Sequence, residues 1–368
     1  MAKTTVEQLG EFGQSVWLDN INRAMLTTGK LKQAIGVGLR GMTSNPTIFE
    51  QALGAGSDYD RQIQELIAAG KSTFEIYDAL TVQDIQDAAD IFLPVYQQTQ
   101  GLDGYVSLEV NPLLAYEEDQ TIKEAQRLFT KVNRPNVMFK IPATDEGIEA
   151  TEELLAEGIN LNVTLIFSLA QYKKVAAAYL RGLKRLLQTG ADLSKLRSVA
   201  SVFVSRIDNV VDKQLAERDR QGATGLLGQA AVANMNIIYR EFVSIFSSDE
   251  FRQLANQGAN LQRVLWASTS TKNPAYSDIK YATELIAKDT VNTLPDQTLA
   301  AFLDHGQVAT ALTADASAAD QAIVQLSNIG IDVNAVCAQL LKDGVAAFEK
   351  SFQSLLDSLS KKEKVLCK

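Results

Sequence analysis

One histidine in 368 residues removes most histidine chemistry from consideration. Ser-His-Asp and Cys-His triads would both have to pass through His305, which has no serine–glycine or cysteine signature beside it. His305 follows Asp304 and precedes Gly306, the pattern of a helix end, so a structural role is expected. Histidine-rich metal sites are excluded too. Composition leaves a carboxylate Mg²⁺ site open, but no spacing points to one, and neither metal nor cofactor is expected. The two cysteines, Cys337 in a helical pattern and Cys367 near the C-terminus, have no metal-ligand spacing and indicate no disulfide framework. No apolar run approaches membrane-spanning length. Met1–Gln8 lacks a basic start followed by an apolar stretch, so no signal peptide is expected and the default location is cytoplasmic. Lysine and arginine (35) are outnumbered by aspartate and glutamate (44), a net charge of −9. That balance argues against binding nucleic acid or an anionic membrane, though one local arginine can still hold a phosphate. No G-x-G-x-x-G turn follows the first strand-like run, which weakens the case for an open doubly wound sheet.

What the chain does have is a hydrophobic fraction of 46%, enough for a large core, and a regular alternation of patterns. Strand-like runs occur at Ser15–Asp19, Val37–Thr43, Tyr105–Asn111, Val137–Ala143, Asn162–Phe167, Val199–Arg206, Arg263–Ser268 and Thr290–Leu294. Helical spacing separates them, for example at Ile63, Leu66 and Ile67, across Ala170–Leu187, and at Ile237, Phe242 and Phe246. Strands separated by helices pair in parallel, and closing eight of them gives an α/β fold of the (β/α)₈ TIM-barrel type. No internal repeat or linker divides the chain, and Gly54–Ser57 reads as a surface turn. Residues 1–368 are therefore expected to form a single catalytic barrel domain. Asp315–Ser327 and Val333–Ser358 imply additional C-terminal helices, an extension over about 308–360 packed on the barrel, with Ser360–Lys368 as a frayed tail.

Four of the seven prolines stop strands, at Pro46, Pro112, Pro142 and Pro295. In such a barrel the C-terminal strand ends form the active-site face, so polar residues before these stops are candidates: Thr43, Ser44, Asn45, Glu109 and Lys140. Lys140 stands out within Val137-Met138-Phe139-Lys140-Ile141-Pro142. A buried ammonium must be paired or lose its proton, and a neutral lysine attacks carbonyl carbon. On this segment alone a Schiff-base former and a strand-end lysine whose head reaches water are both open. Other strand ends carry Asp19, Asn162, Thr164, Ser201, Ser205, Arg206 and Ser268. Singly, each fits a structural role; together they have the layout of a barrel active site. Lys140 would attack a ketone, with Glu109 relaying protons through a water held by Thr164. Asp19 would act as base toward a substrate hydroxyl. Arg206 would bind a terminal phosphate, helped by Ser201 and Ser268.

The motifs Trp17-Leu18-Asp19, Thr43-Ser44-Asn45-Pro46-Thr47, Ser107-Leu108-Glu109-Val110-Asn111-Pro112 and Phe139-Lys140-Ile141-Pro142-Ala143-Thr144 resemble those of transaldolases. So do Asn160-Leu161-Asn162-Val163-Thr164-Leu165, Phe203-Val204-Ser205-Arg206 and Trp266-Ala267-Ser268-Thr269, all in family order. The resemblance implies a cofactor-free transferase of the pentose phosphate pathway. It would move a dihydroxyacetone unit from sedoheptulose 7-phosphate to glyceraldehyde 3-phosphate, giving erythrose 4-phosphate and fructose 6-phosphate. By position, Lys140 resembles the Schiff-base lysine, Asp19 and Glu109 the acid–base pair, and Thr164 the residue holding the catalytic water. Thr43, Asn45, Ser107, Asn162 and Ser201 resemble sugar contacts, and Arg206 a phosphate ligand. The chain departs from many members two residues after the seventh-strand serine, where it has Ser270 in place of an arginine. Either Lys272, the nearest cation, replaces it as a point charge, or the second phosphate contact is weaker. Sugar phosphates are the implied partners, with a monomer or homodimer as the assembly. The alternatives are a lyase of the fructose 6-phosphate aldolase type and a non-catalytic sugar-phosphate-binding barrel. Aldolases of that type are shorter and use a tyrosine where this chain has Glu109.

Overall fold

Parallel strands cannot be joined by tight turns, so each strand must be followed by a crossover that returns the chain to the same end. The computed structural model describes residues 3–54, 56–217 and 223–367, and in it helices provide these crossovers. The strands are β1 (Gln14–Asp19), β2 (Gly41–Thr43), β3 (Tyr105–Glu109), β4 (Val137–Pro142), β5 (Leu161–Ile166), β6 (Ser198–Phe203), β7 (Gln262–Ala267) and β8 (Thr290–Leu294). They pair in sequence order, and β8 returns to β1, giving a closed eight-stranded parallel barrel. This is a (β/α)₈ TIM barrel with additional C-terminal helices. Met1, Ala2, Ala55 of the glycine-rich turn and Lys368 lie outside the described residues.

Local chemistry explains where strands give way to helices. Pro46 opens the helix Pro46–Gly54, Pro112 opens a 3₁₀ turn, and Pro295 is the N-cap of the helix Asp296–His305. Pro142 is itself the last residue of β4. Thr144 caps the helix Asp145–Ala156 through its hydroxyl, which accepts from the Gly147 N–H, and Ser168 forms a capping box with Gln171. His305 ends its helix as expected, exposed beside Asp304 and Asp278.

The barrel interior is filled rather than hollow. Register pairs Trp17 with Gly41, and a methyl group placed on Gly41 would lie 2.6 Å from the Trp17 ring. The N-terminal end is closed by Arg263, which donates to Asp103 Oδ1 at 3.1 Å, Ser15 Oγ at 2.6 Å and Thr290 O at 2.7 Å. Outward residues such as Leu18, Met42, Leu108, Phe139 and Val163 form the layer beneath the helices.

Three expectations are corrected. Val37–Arg40 is not strand: Val37 caps the helix Lys30–Gly36, and Gly38, at φ +111°, turns the chain into β2. β6 ends at Phe203, and Ser205 and Arg206 begin the helix Ser205–Ala216, so Arg206 projects from a helix start rather than a strand end. Ser360–Leu366 is not frayed. It continues the helix Val333–Leu366, with Leu359 buried and Lys362 Nζ 2.6 Å from Asp60 Oδ1. The tail's lysines misled because one of them is an anchor: Lys362 also donates to the Gly56 carbonyl at 2.9 Å.

Gly41→Ala is expected to lower unfolding free energy by about 1–3 kcal/mol, the usual penalty of overpacking a filled interior, as measured by urea denaturation.

Candidate active site

A lysine can be kept at the axis of a barrel only if its ammonium or amine finds partners there. Register places Lys140 of β4 between Glu109 of β3 and Asn162 of β5. Lys140 is 5% exposed, and its Nζ donates to the Ser44 carbonyl at 3.0 Å. Glu109 Oε2 lies 3.6 Å from it, close enough for an ion pair and too long for a hydrogen bond. That oxygen is buried and has no hydrogen-bond partner among the described residues, and the same is true of Thr164 Oγ1. Two unpaired buried oxygens around one lysine are costly for stability alone, which is a sign of function.

The other polar side chains divide into two groups. Thr43 donates to Asp19 Oδ1 at 2.8 Å and lies 2.9 Å from Thr293 Oγ1. On the opposite wall, Ser201 donates to Asn162 Oδ1 at 2.5 Å and Asn162 donates to Ser107 Oγ at 3.1 Å. A cavity of about 350 Å³ at the C-terminal strand ends is lined by Asp19, Thr43, Asn45, Lys140, Thr164, Ser201, Arg206, Ser268 and Lys272, among others. Nine of the twelve anticipated site residues thus share one cavity. Ser107, Glu109 and Asn162 stand behind that lining, with Glu109 reaching Lys140 and the other two bonded to each other. Asn45 also caps the following helix through the Ile48 N–H.

Arg206 is half-buried, with its guanidinium carbon 5.2 Å from the centre of the Phe203 ring. It makes no hydrogen bond or ion pair to a described residue, so its N–H donors are available to a ligand. Ser268 Oγ is 3.2 Å from Ser205 Oγ beside it, and Ser270 and the exposed Lys272 continue the rim. Among the described residues no cluster of three or more His, Cys, Asp or Glu is arranged to hold a metal.

Burial pushes the Glu109 carboxyl up to about 7, against the attraction of Lys140. Burial also raises Asp19, although Lys140 and the Thr43 hydrogen bond oppose it. Arg206 is lowered by burial, with Asp19 opposing. A glutamate that is half-ionised near neutral pH can both take and return a proton, whereas an ordinary surface glutamate is fully ionised there.

Sequence reasoning missed several lining residues. Thr293 sits just before Leu294-Pro295 and could have been found by the same proline rule. Phe203 follows from alternation with Ser201 on β6. Thr47, Ile48 and Gln51 come from the helix after β2. Phe348 had no signal, because it comes from the C-terminal helix folded back across the barrel.

The family described as Transaldolase/Fructose-6-phosphate aldolase matches residues 16–359. The chain belongs to this family. It is 44% identical to a protein named Transaldolase 2 from Nostoc sp., over 100% of this chain and 99% of that protein. It is 45% identical to a Transaldolase from Saccharopolyspora erythraea, over 97% of each chain. It is 44% identical to a Transaldolase from Mycolicibacterium smegmatis, over 95% of each. These full-length matches fit the barrel and cavity already described. They also include the C-terminal helix up to residue 359, so that helix is part of the family's matched region rather than an appendage.

The Glu109 carboxyl should impose an inflection near pH 7 on kcat/KM, activity changing as the group loses its proton on the alkaline side. In Glu109→Gln, which cannot titrate, that inflection should vanish from the pH–rate profile; an unchanged inflection would assign it to another group.

Proposed function

We propose that the protein is a transaldolase working through a Schiff base on Lys140, on sugar-phosphate substrates of the pentose phosphate pathway. The observation that carries this reading is a buried lysine amine with Glu109 Oε2 and Thr164 Oγ1, two buried oxygens without hydrogen-bond partners among the described residues. Such an arrangement suits a water shared by the two, through which protons reach and leave the reacting nitrogen.

The Lys140 amine attacks the C2 ketone of sedoheptulose 7-phosphate, and the oxygen takes a proton to give a carbinolamine. Loss of water leaves an iminium. Glu109 is the group that moves protons in these steps, through the Thr164-held water. Asp19, held by Thr43, removes the C4 hydroxyl proton. The C3–C4 electron pair then flows into the iminium, erythrose 4-phosphate leaves, and a three-carbon enamine stays on Lys140. The enamine carbon attacks the aldehyde of glyceraldehyde 3-phosphate, and its new alkoxide takes the proton back from Asp19. Hydration of the iminium releases fructose 6-phosphate and restores the amine. No external oxidant or cofactor enters this balance.

Ser107, Asn162 and Ser201 support a role in orienting the sugar hydroxyls, together with Thr43 and Asn45. Arg206, Ser268 and Lys272 form the phosphate end, Arg206 as a fork of donors and Lys272 as a point charge at the rim. The whole chain, 1–368, acts as one catalytic unit on this reading, as a monomer or homodimer. A cytoplasmic location goes with this reading, since charged sugar phosphates do not cross a bilayer unaided. No described helix is long and apolar enough to cross a membrane.

Incubation with fructose 6-phosphate and borohydride is expected to add mass irreversibly at Lys140 and at no other lysine. An adduct elsewhere, or none, would sink the mechanism. Free dihydroxyacetone appearing as fast as aldehyde, with no acceptor present, would favour a lyase instead. Arg206→Ala is expected to raise KM for fructose 6-phosphate by about tenfold or more, the loss of a charge-assisted contact. Lys272→Ala should raise it less, because an exposed point charge is screened by solvent.

A further inference from the structure

The C-terminal helix Val333–Leu366 runs across the open end of the barrel and is fastened along its length. Cys337 Sγ donates to the Phe167 carbonyl after β5 at 3.3 Å. Thr47, after β2, donates to Ser351 Oγ at 2.9 Å, and the Phe352 ring meets Tyr77 edge-on at 5.2 Å. Gly344 and Phe348 lie between these fastenings. Four residues apart, they share the helix face turned to the barrel. Phe348 is 5% exposed and lines the same cavity as Lys140, Arg206 and Lys272.

Gly344 packs closely against the barrel. A methyl group there would lie 2.9 Å from Leu165 Cδ2 and 3.6 Å from Arg206 Nη1. Leu165 is fully buried, and its φ of +60° is one that a leucine rarely adopts, so it has little freedom to withdraw. The Arg206 guanidinium is therefore located by packing, between the Phe203 ring and the bare edge of Gly344, and spends no hydrogen bond on a described residue. Phe348 and Phe203 add apolar walls around it, and a charge pair in such surroundings is stronger than one open to water.

We propose that the barrel-facing edge of the C-terminal helix, Gly344 with Phe348 one turn later, determines the enzyme's preference for phosphorylated over unphosphorylated sugars by holding Arg206 in place and shielding it. Gly344 is a positioning residue in this scheme and Phe348 a specificity-determining one. The inference rests on the reading of Arg206 as a phosphate ligand.

Steady-state kinetics with fructose 6-phosphate and with unphosphorylated fructose as donors tests it in wild type, Gly344→Ala, Phe348→Ala and Arg206→Ala. Gly344→Ala is expected to raise KM for fructose 6-phosphate by about tenfold, with kcat and the kcat/KM for fructose changing less than about twofold, the pattern of lost ground-state binding, and Phe348→Ala to raise KM for fructose 6-phosphate and lower its kcat/KM about tenfold more than that for fructose. If Arg206→Ala raises KM while both helix variants keep the wild-type value, the helix inference is overturned and the phosphate reading stands. If Arg206→Ala leaves KM unchanged, the phosphate reading falls and the helix inference with it. Equal losses with both donors would also overturn the inference, since a purely structural helix would damage the two alike. Should Gly344→Ala fail to fold, Phe348→Ala decides by the same criteria.

Discussion

The structure is organised around the difficulty of keeping one lysine amine dry. Lys140 sits at the C-terminal end of the barrel axis, 3.0 Å from a backbone carbonyl and 3.6 Å from a glutamate that burial has pushed up to about 7. The two groups are coupled electrostatically: the attraction of Lys140 favours the ionised carboxylate, and burial outweighs it. A surface setting would remove this coupling, because water would solvate both charges separately. The barrel supplies the dryness: parallel strands bring Glu109, Lys140 and Asn162 into adjacent register, and the interior beneath them is plugged by Trp17 and by the Arg263–Asp103–Ser15 network.

The barrel and the polar residues gathered at its mouth were legible in the sequence for a physical reason. A parallel strand buried on both faces is apolar throughout, so any polar residue inside it is conspicuous. Lys140 among Val137, Met138, Phe139 and Ile141 is the clearest case, and Asp19, Glu109 and Thr164 follow the same logic. Prolines after β2, β3 and β8 add punctuation. These signals are local, and a single sequence carries local signals well.

What was not legible depends on contacts distant in sequence or on backbone choices that composition does not fix. Arg206 looked like the end of a strand because Val199–Phe203 is strongly strand-forming, yet Val204 turns the chain and Ser205 starts a helix. The change matters chemically. From a helix start the guanidinium lies over the Phe203 ring at the rim instead of pointing down the axis. Phe348 could not be distinguished from any other apolar residue of its helix, since its place in the cavity depends on the helix folding back onto residues distant in sequence. The tail from Ser360 was misread because Lys361, Lys362 and Lys364 suggest solvent, whereas Lys362 reaches Asp60 and the helix continues beneath it.

Two non-glycine residues at the cavity's edge adopt left-handed backbone, Leu165 at φ +60° and Ser268 at φ +56°. Each such conformation costs on the order of 1–3 kcal/mol, and it persists only where surrounding structure overdetermines it. Glycine would remove the strain at both positions, so the side chains must matter more than the backbone cost. At Ser268 the hydroxyl faces Ser205 and the cavity. At Leu165 the irregularity coincides with the register shift between β5 and β6 at Val163–Ile166, directly after Thr164. The shift interrupts the pairing, which resumes between Ile166 and Val202, and the leucine side chain meets the C-terminal helix at Gly344. A glycine at 165 would leave that contact empty and loosen the helix over the site. The strain at Leu165 and the missing side chain at Gly344 are therefore complementary: one residue extends toward the helix because the other has nothing in the way.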